Sequence, residues 1–109
     1  MESLDKHVDS QMDTMIGDLQ TLIRQPSIST KSYGLIECAE FIKGILNKAG
    51  VQAELLYQVS RTDSNEANAP PLVFGHVRSK NNPNSSTLLF YNHYDVQPED
   101  PLDQWHSDP

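Results

Sequence analysis

The sequence predicts an α/β fold in which two helices are followed by three strands of a mixed sheet. Three observations support this prediction. Apolar residues recur at intervals of three and four up to Ala49, they alternate with polar residues after Gly50, and residues 87–91 are apolar at nearly every position. Intervals of three and four indicate helices that bury one face, whereas alternation indicates strands.

Each predicted helix has one apolar stripe and a clear stop signal. Pro26 disfavours helical geometry in the residue before it, so the first helix should end near Gln25. Gly50 is a favourable residue directly after a helix and should terminate the second one. The stripes consist of Leu4, Val8, Met12, Met15, Leu19 and Leu22 in the first helix, and of Leu35, Cys38, Ala39, Ile42, Ile45, Leu46 and Ala49 in the second.

Three segments in the second half of the chain have the character of strands. Residues 51–57 alternate between apolar and polar side chains, which predicts a half-exposed strand. A polar loop over 61–70 separates it from a second strand over 71–77. After a turn at 79–86, which is rich in asparagine, residues 87–91 form the third predicted strand.

The third predicted strand requires more neighbouring strands and helices than the rest of the chain supplies. A strand that is apolar at nearly every position is usually buried on both faces in the middle of a sheet. It therefore needs a neighbour on each side and a cover on each face. We expect residues 1–109 to be a partial domain that is truncated at its carboxyl end. The alternative is a small three-stranded domain with an exposed apolar edge, which would tend to aggregate.

Composition and charge limit the classes of function. The chain has 109 residues, of which 15 are acidic and 8 basic, for a net charge of −7. This balance gives no electrostatic case for binding nucleic acid or an anionic membrane. The single cysteine, Cys38, lies in the apolar stripe of the second helix, so packing is its expected role. The amino terminus lacks a secretory signal, and the predicted location is cytoplasmic.

The strongest candidate for chemistry is a histidine and a carboxylate directly after the third strand. In extended backbone His93 and Asp95 project to the same side. An imidazole can bind a divalent metal through one ring nitrogen while a carboxylate accepts a hydrogen bond from the other. The alternative interpretation is structural, with His93 at a strand end and Asp95 in the turn before Pro98.

The surrounding sequence resembles a known family. The segment 88–98, LLFYNHYDVQP, is similar to the first metal motif of the dizinc exopeptidase and deacylase family, metallopeptidase family twenty. That family includes acetylornithine deacetylase, succinyl-diaminopimelate desuccinylase, aminoacylase and the carnosinase-type dipeptidases. Upstream, the Pro-Ser-x-Ser turn at 26–29 also matches, as do Trp105 and Asp108 downstream. Asn92 stands where the family usually has glycine.

The resemblance implies a zinc-dependent hydrolase that cleaves an amide bond in a dipeptide or N-acyl amino acid. It implies that His93 is a zinc ligand and that Asp95 is the catalytic-site carboxylate supporting it. The complete enzyme would hold two zinc ions and act on a small peptide or N-acyl substrate, as a homodimer in some relatives. The remaining ligands and the general base belong to later segments, so we expect residues 1–109 alone to be inactive and to bind zinc weakly or not at all.

Two other functions remain open. The chain could be a non-catalytic α/β binding module that acts with a partner or a separately encoded remainder. It could also be a mononuclear metal protein that uses His93, Asp95 and His106. The other candidates have structural explanations: His7, His76, Trp105, and Ser27 and Ser29, which lack a histidine base at a recognisable spacing.

Overall fold

A computed structural model describes residues 2–58 and 69–109, with the side chain of Glu2 excepted. Two α-helices precede two strands, and short 3-10 helices lie between the α-helices and near the carboxyl end. The bounds are α1, Glu2–Arg24; α2, Leu35–Lys48; β1, Gln52–Leu56; β2, Leu72–His76; and 3-10 turns at Ser29–Lys31 and Leu102–Gln104. The predicted loop over 61–70 lies mostly outside the described residues.

The helix boundaries agree with the stop signals in the sequence. Helix α1 ends two residues before Pro26. After α2, Gly50 adopts φ 84°, in the left-handed region that favours glycine. Helix α2 packs on both strands and buries Leu35, Cys38 and Ala39, which form the apolar core. The Cys38 residue is only 1% exposed, and this burial agrees with its predicted packing role.

The apolar stripe of α1 is only partly covered. Helix α1 contacts α2, yet its apolar side chains stay largely in solvent. The exposed side chains include Leu4, Met12, Met15 and Leu19 of the stripe and the neighbouring Ile16 and Ile23. The spacing therefore predicted the helix correctly, while the described residues cover little of its apolar face.

The sheet differs from the prediction. Strands β1 and β2 pair antiparallel, with Gln52 opposite His76 and Leu56 opposite Leu72. The prediction of three strands in a mixed sheet is wrong for the described residues, which form a two-stranded antiparallel sheet. Residues 87–91 are not a strand, because a strand requires a hydrogen-bonded neighbour and none lies beside them in the described ranges.

Candidate active site at His93 and Asp95

The structure joins the two candidate residues directly. Nδ1 of His93 lies 3.0 Å from Oδ1 of Asp95. With a neutral imidazole, Nδ1–H donates to the carboxylate and Nε2 keeps its lone pair. The His93 side chain is 75% exposed, so Nε2 is accessible from solvent. This is the arrangement in which a carboxylate orients a histidine for metal binding.

Asp95 is held as a carboxylate by two neighbours. Its hydrogen bond with the His93 ring, followed by one with the Ser29 side chain, lowers the pKa of the Asp95 carboxyl below its ordinary value. A carboxyl group that accepts hydrogen bonds favours its charged form. Asp95 is therefore an acceptor for His93 at neutral pH and supports the tautomer that leaves Nε2 free.

A parallel backbone bridge fixes the loop after these two residues. Val96 N–H donates to the Ser27 carbonyl over 2.9 Å, and Ser29 N–H donates to the Val96 carbonyl over 3.3 Å. Ile28 is thereby paired with Val96. Ser27 itself is buried, with 4% of its surface exposed. The bridge brings the Pro-Ser-x-Ser turn against the His-x-Asp motif and places Ser29 beside Asp95.

Tyr94 anchors the same loop from the other side. Its hydroxyl donates a hydrogen bond of 2.7 Å to the Pro71 carbonyl, directly before β2. The Cys38 thiol lies 4.0 Å from the Tyr94 carbonyl oxygen. Burial raises the pKa of the Tyr94 phenol, and the nearby Cys38 and Asp95 add to the rise. Tyr94 thus stays protonated and acts as a donor, while His93 and Asp95 on either side remain available for chemistry.

Cys38 has the character of a packed thiol. Burial raises its pKa, and the hydrogen bond with Ser27 offsets that rise only in part. Because the thiolate is the reactive form, a raised pKa makes the thiol inert. This agrees with the assignment of Cys38 to packing between α2 and the loop.

The segment after Pro98 contacts the 3-10 turn that follows the Pro-Ser-x-Ser segment. Glu99 forms a salt bridge with Lys31, in which Oε1 and Nζ are 3.0 Å apart. The Trp105 indole N–H donates to the Glu99 carbonyl over 2.7 Å. Trp105 therefore ties the carboxyl-terminal loop to the motif, which agrees with its structural interpretation.

His93 and Asp95 fit part of a metal site. Within residues 2–58 and 69–109, no three His, Cys, Asp or Glu side chains come together as a set of metal ligands. His106 therefore does not join the pair, and the hypothesis of a mononuclear site with His93, Asp95 and His106 is wrong. His76 ends β2 and is exposed. Its ring centroid lies 6.1 Å from that of Phe74, and it belongs to no set of three metal-ligand side chains in the described chain.

The sequence did not single out Ser29 and Tyr94 as site residues. The sequence interpretation places Ser29 in the Pro-Ser-x-Ser turn and discards it as a nucleophile, and it assigns Tyr94 no role. Both act through contacts with residues far away in the sequence: Ser29 with Asp95, and Tyr94 with Pro71. The one available signal was the match of the Pro-Ser-x-Ser turn to the same family as the His-x-Asp motif.

Comparison with known proteins gives one relevant similarity. The chain is 30% identical over 113 aligned residues to the Cys-Gly metallodipeptidase dug1 of Schizosaccharomyces pombe. The alignment covers 100% of this chain and 23% of the relative. These values support a metallodipeptidase-type relationship. The chain spans less than a quarter of the relative's length.

Other comparisons add no assignment. No protein-family model matches the chain, and no solved structure does. Within the described residues, no helix combines the length and apolar character needed to cross a bilayer.

Proposed function

We propose that residues 1–109 form the amino-terminal part of the catalytic domain of a zinc-dependent hydrolase that cleaves an amide bond in a dipeptide or N-acyl amino acid. His93 is a metal ligand, and Asp95 is the carboxylate that supports it. The contact of 3.0 Å between them is the observation on which this proposal depends, because it leaves Nε2 of His93 exposed. The similarity to a Cys-Gly metallodipeptidase supports the substrate class.

The chemistry of the chain's own residues follows from this contact. Asp95 accepts the Nδ1 proton, which fixes the tautomer and raises the basicity of Nε2. Bound zinc would supply a lowered water pKa and a polarised carbonyl. A zinc site normally has three or four protein ligands, so His93 needs ligands that the described residues do not place beside it. Residues 1–109 alone are accordingly expected to be inactive.

The remaining properties belong to the same proposal. The substrate is a small peptide or N-acyl amino acid, and neither nucleic acid nor membrane is a partner. The net charge of −7 supports that exclusion. The complete enzyme would hold two zinc ions, reside in the cytoplasm and form a homodimer.

A chimera tests the function without requiring activity from residues 1–109 alone. In this dipeptidase chimera, residues 1–109 replace the matching segment of the S. pombe enzyme. We expect zinc-dependent hydrolysis of Cys-Gly, lost in His93→Ala and retained in His7→Ala, which removes an exposed histidine on α1. Equal turnover of the His93→Ala chimera and its parent would refute the proposed role of His93.

A second candidate function has one observation in its favour. Residues 88–91 are 74–85% exposed although all four are large and apolar, as expected of a surface that binds a partner. A non-catalytic binding module would be monodisperse and unfold cooperatively in isolation. A partial catalytic domain would instead self-associate, and light scattering distinguishes the two.

A further inference from the structure

Tyr91, His93 and Asp95 form a row of three side chains along the segment before Pro98. The ring centroids of Tyr91 and His93 are 5.8 Å apart, and the ring planes are inclined by 71°. Nδ1 of His93 in turn lies 3.0 Å from Oδ1 of Asp95. Residues two apart in extended backbone project to the same face, which explains why these side chains meet. The imidazole of His93 therefore has a contact with each of its neighbours in the row.

The hydrogen bond with Asp95 fixes one atom of the His93 imidazole but not the plane of the ring. The χ2 torsion of histidine has a broad distribution, so the ring can tilt about its restrained nitrogen. The His93 side chain is 75% exposed, and solvent does not oppose that tilt. Zinc binds its ligands in a defined, usually tetrahedral geometry, so the free nitrogen must point in one direction. A second contact that restricts the ring plane would therefore improve His93 as a ligand.

The ring of Tyr91 has the geometry for such a contact. Aromatic pairs favour edge-to-face arrangements with centroids about 4.5–7 Å apart, and the Tyr91–His93 pair has this arrangement. An edge-to-face contact favours one inclination of the two ring planes. Tyr91 itself is 74% exposed, so burial in the described chain does not account for an aromatic side chain at this position.

We propose that Tyr91 is a positioning residue for His93: its ring restricts the plane of the imidazole while Asp95 fixes Nδ1, so that Nε2 faces the metal in one direction. The inference rests on the proposed function. Tyr91 acts through His93 and does not itself bind the metal. Because the contact requires a ring and not a hydroxyl, phenylalanine should replace Tyr91 and leucine should not.

NMR of the metal-free dipeptidase chimera, with 13C in the histidine rings, tests the contact. The His93 signal is the one that disappears in His93→Ala. An aromatic ring shifts the resonances of nearby nuclei, so Tyr91→Leu should move the His93 signal and Tyr91→Phe should retain it. Phe90→Leu also removes a ring, but adjacent residues of extended backbone project to opposite faces, so the signal should stay in place. An unmoved His93 signal in Tyr91→Leu would overturn the proposal.

Competition with a zinc-binding dye on the same chimera tests the consequence for the metal. We expect about fivefold weaker zinc binding in Tyr91→Leu, the size expected for the loss of one aromatic pair. Tyr91→Phe and Phe90→Leu should bind zinc as tightly as the parent. Undiminished affinity in Tyr91→Leu would overturn the proposal. An equal loss in Tyr91→Phe would also overturn it, since the ring would then not be the group that acts.

His93→Ala distinguishes failure of this proposal from failure of the proposed function. If His93→Ala weakens zinc binding and Tyr91→Leu does not, His93 remains a ligand and the positioning role of Tyr91 is refuted. If His93→Ala binds zinc as tightly as the parent, the proposed function is refuted, whatever the NMR signal shows.

Discussion

The Tyr94 hydroxyl donates a hydrogen bond of 2.7 Å to the Pro71 carbonyl, linking the residue between His93 and Asp95 to the start of β2. Pro71 is among the largest fully buried side chains of the described chain. The motif is therefore positioned by the sheet as well as by the turn at 27–29.

Tyr94→Phe should loosen the loop without altering its apolar contacts. Loss of one neutral hydrogen bond costs about 1 kcal/mol, and the Pro71 carbonyl loses its partner. We expect the Val96 amide to exchange about fivefold faster, measured by hydrogen–deuterium exchange. Tyr91→Phe, at a tyrosine that is 74% exposed, should leave that rate unchanged. Equal rates in both variants would mean that the Tyr94 hydroxyl does not hold the loop.

Ser29→Ala should weaken metal binding through Asp95. The Ser29 side chain helps to lower the pKa of the Asp95 carboxyl, which orients His93. Hydrogen-bond partners of a metal ligand typically change metal affinity about 10–100-fold. Asp95 and His93 would stand between Ser29 and the metal, so we expect the lower value of about tenfold. Competition with a zinc-binding dye, performed on the dipeptidase chimera, measures the affinity.

Two companion variants separate positioning from folding in that experiment. Ser29→Thr retains a hydroxyl and should restore the zinc affinity. Thr30→Ala changes the exposed neighbour in the same turn and should have no effect. Unchanged affinity in Ser29→Ala would remove Ser29 from the site.

The Lys31–Glu99 salt bridge should give a measurable pH dependence. Hydrogen bonding to its own backbone, followed by the Lys31 contact, lowers the pKa of the Glu99 carboxyl. A lowered pKa means that the stabilisation is present above the ordinary glutamate pKa and is lost as the pH falls through the Glu99 value. Both side chains are partly exposed, so the contribution is small and is screened by salt.

NMR titration of the Glu99 carboxyl measures this effect. Lys31→Ala should raise the Glu99 pKa toward its ordinary value, while the backbone hydrogen bond keeps part of the shift. Lys43→Ala, which removes the partner of Glu40 on α2, should not change it. A Glu99 pKa that is the same with and without Lys31 would contradict the ion pair.

Gly34 and Gly44 should respond oppositely to alanine. Gly34 has φ 73°, and a Cβ there would overlap the Pro26 carbonyl oxygen. Gly34→Ala should therefore destabilise the chain by more than about 1 kcal/mol and displace the turn that contacts Val96. Gly44 lies exposed inside α2 with nothing near its Cβ position, so Gly44→Ala should stabilise by up to about 1 kcal/mol. Thermal unfolding followed by circular dichroism measures both, and equal effects would contradict the close approach at Gly34.

Local patterns predicted the parts of the fold that depend on local physics. Pro26 and Gly50 placed the helix ends to within one or two residues, because each restricts its own backbone and that of its neighbour. Alternation placed β1, because successive side chains of a strand point to opposite faces. Residues 87–91 were predicted as a strand from their composition, but pairing depends on a neighbour that the described chain does not provide. The composition of residues 87–91 indicates a preference for extended backbone, and the structure shows this segment without a paired strand among the described residues.

The contacts at the site also include a local one that the sequence predicts and long-range ones that it does not. His93 and Asp95 are two residues apart, so their contact follows from extended backbone and was predictable. The contacts of Ser29 with Asp95 and of Tyr94 with Pro71 join distant parts of the chain. No local pattern specifies such contacts, since they depend on how α2 and the turn pack together.

X-ray absorption at the zinc edge of the zinc-loaded dipeptidase chimera tests the proposed role of His93 most directly. We expect a zinc–nitrogen distance of about 2.0–2.1 Å from His93, detected as an imidazole scattering contribution that decreases in His93→Ala. His7→Ala, at an exposed histidine on α1, should leave the spectrum unchanged. A zinc-loaded His93→Ala chimera with the same spectrum as its parent would show that His93 is not a ligand and would contradict the proposed metal site.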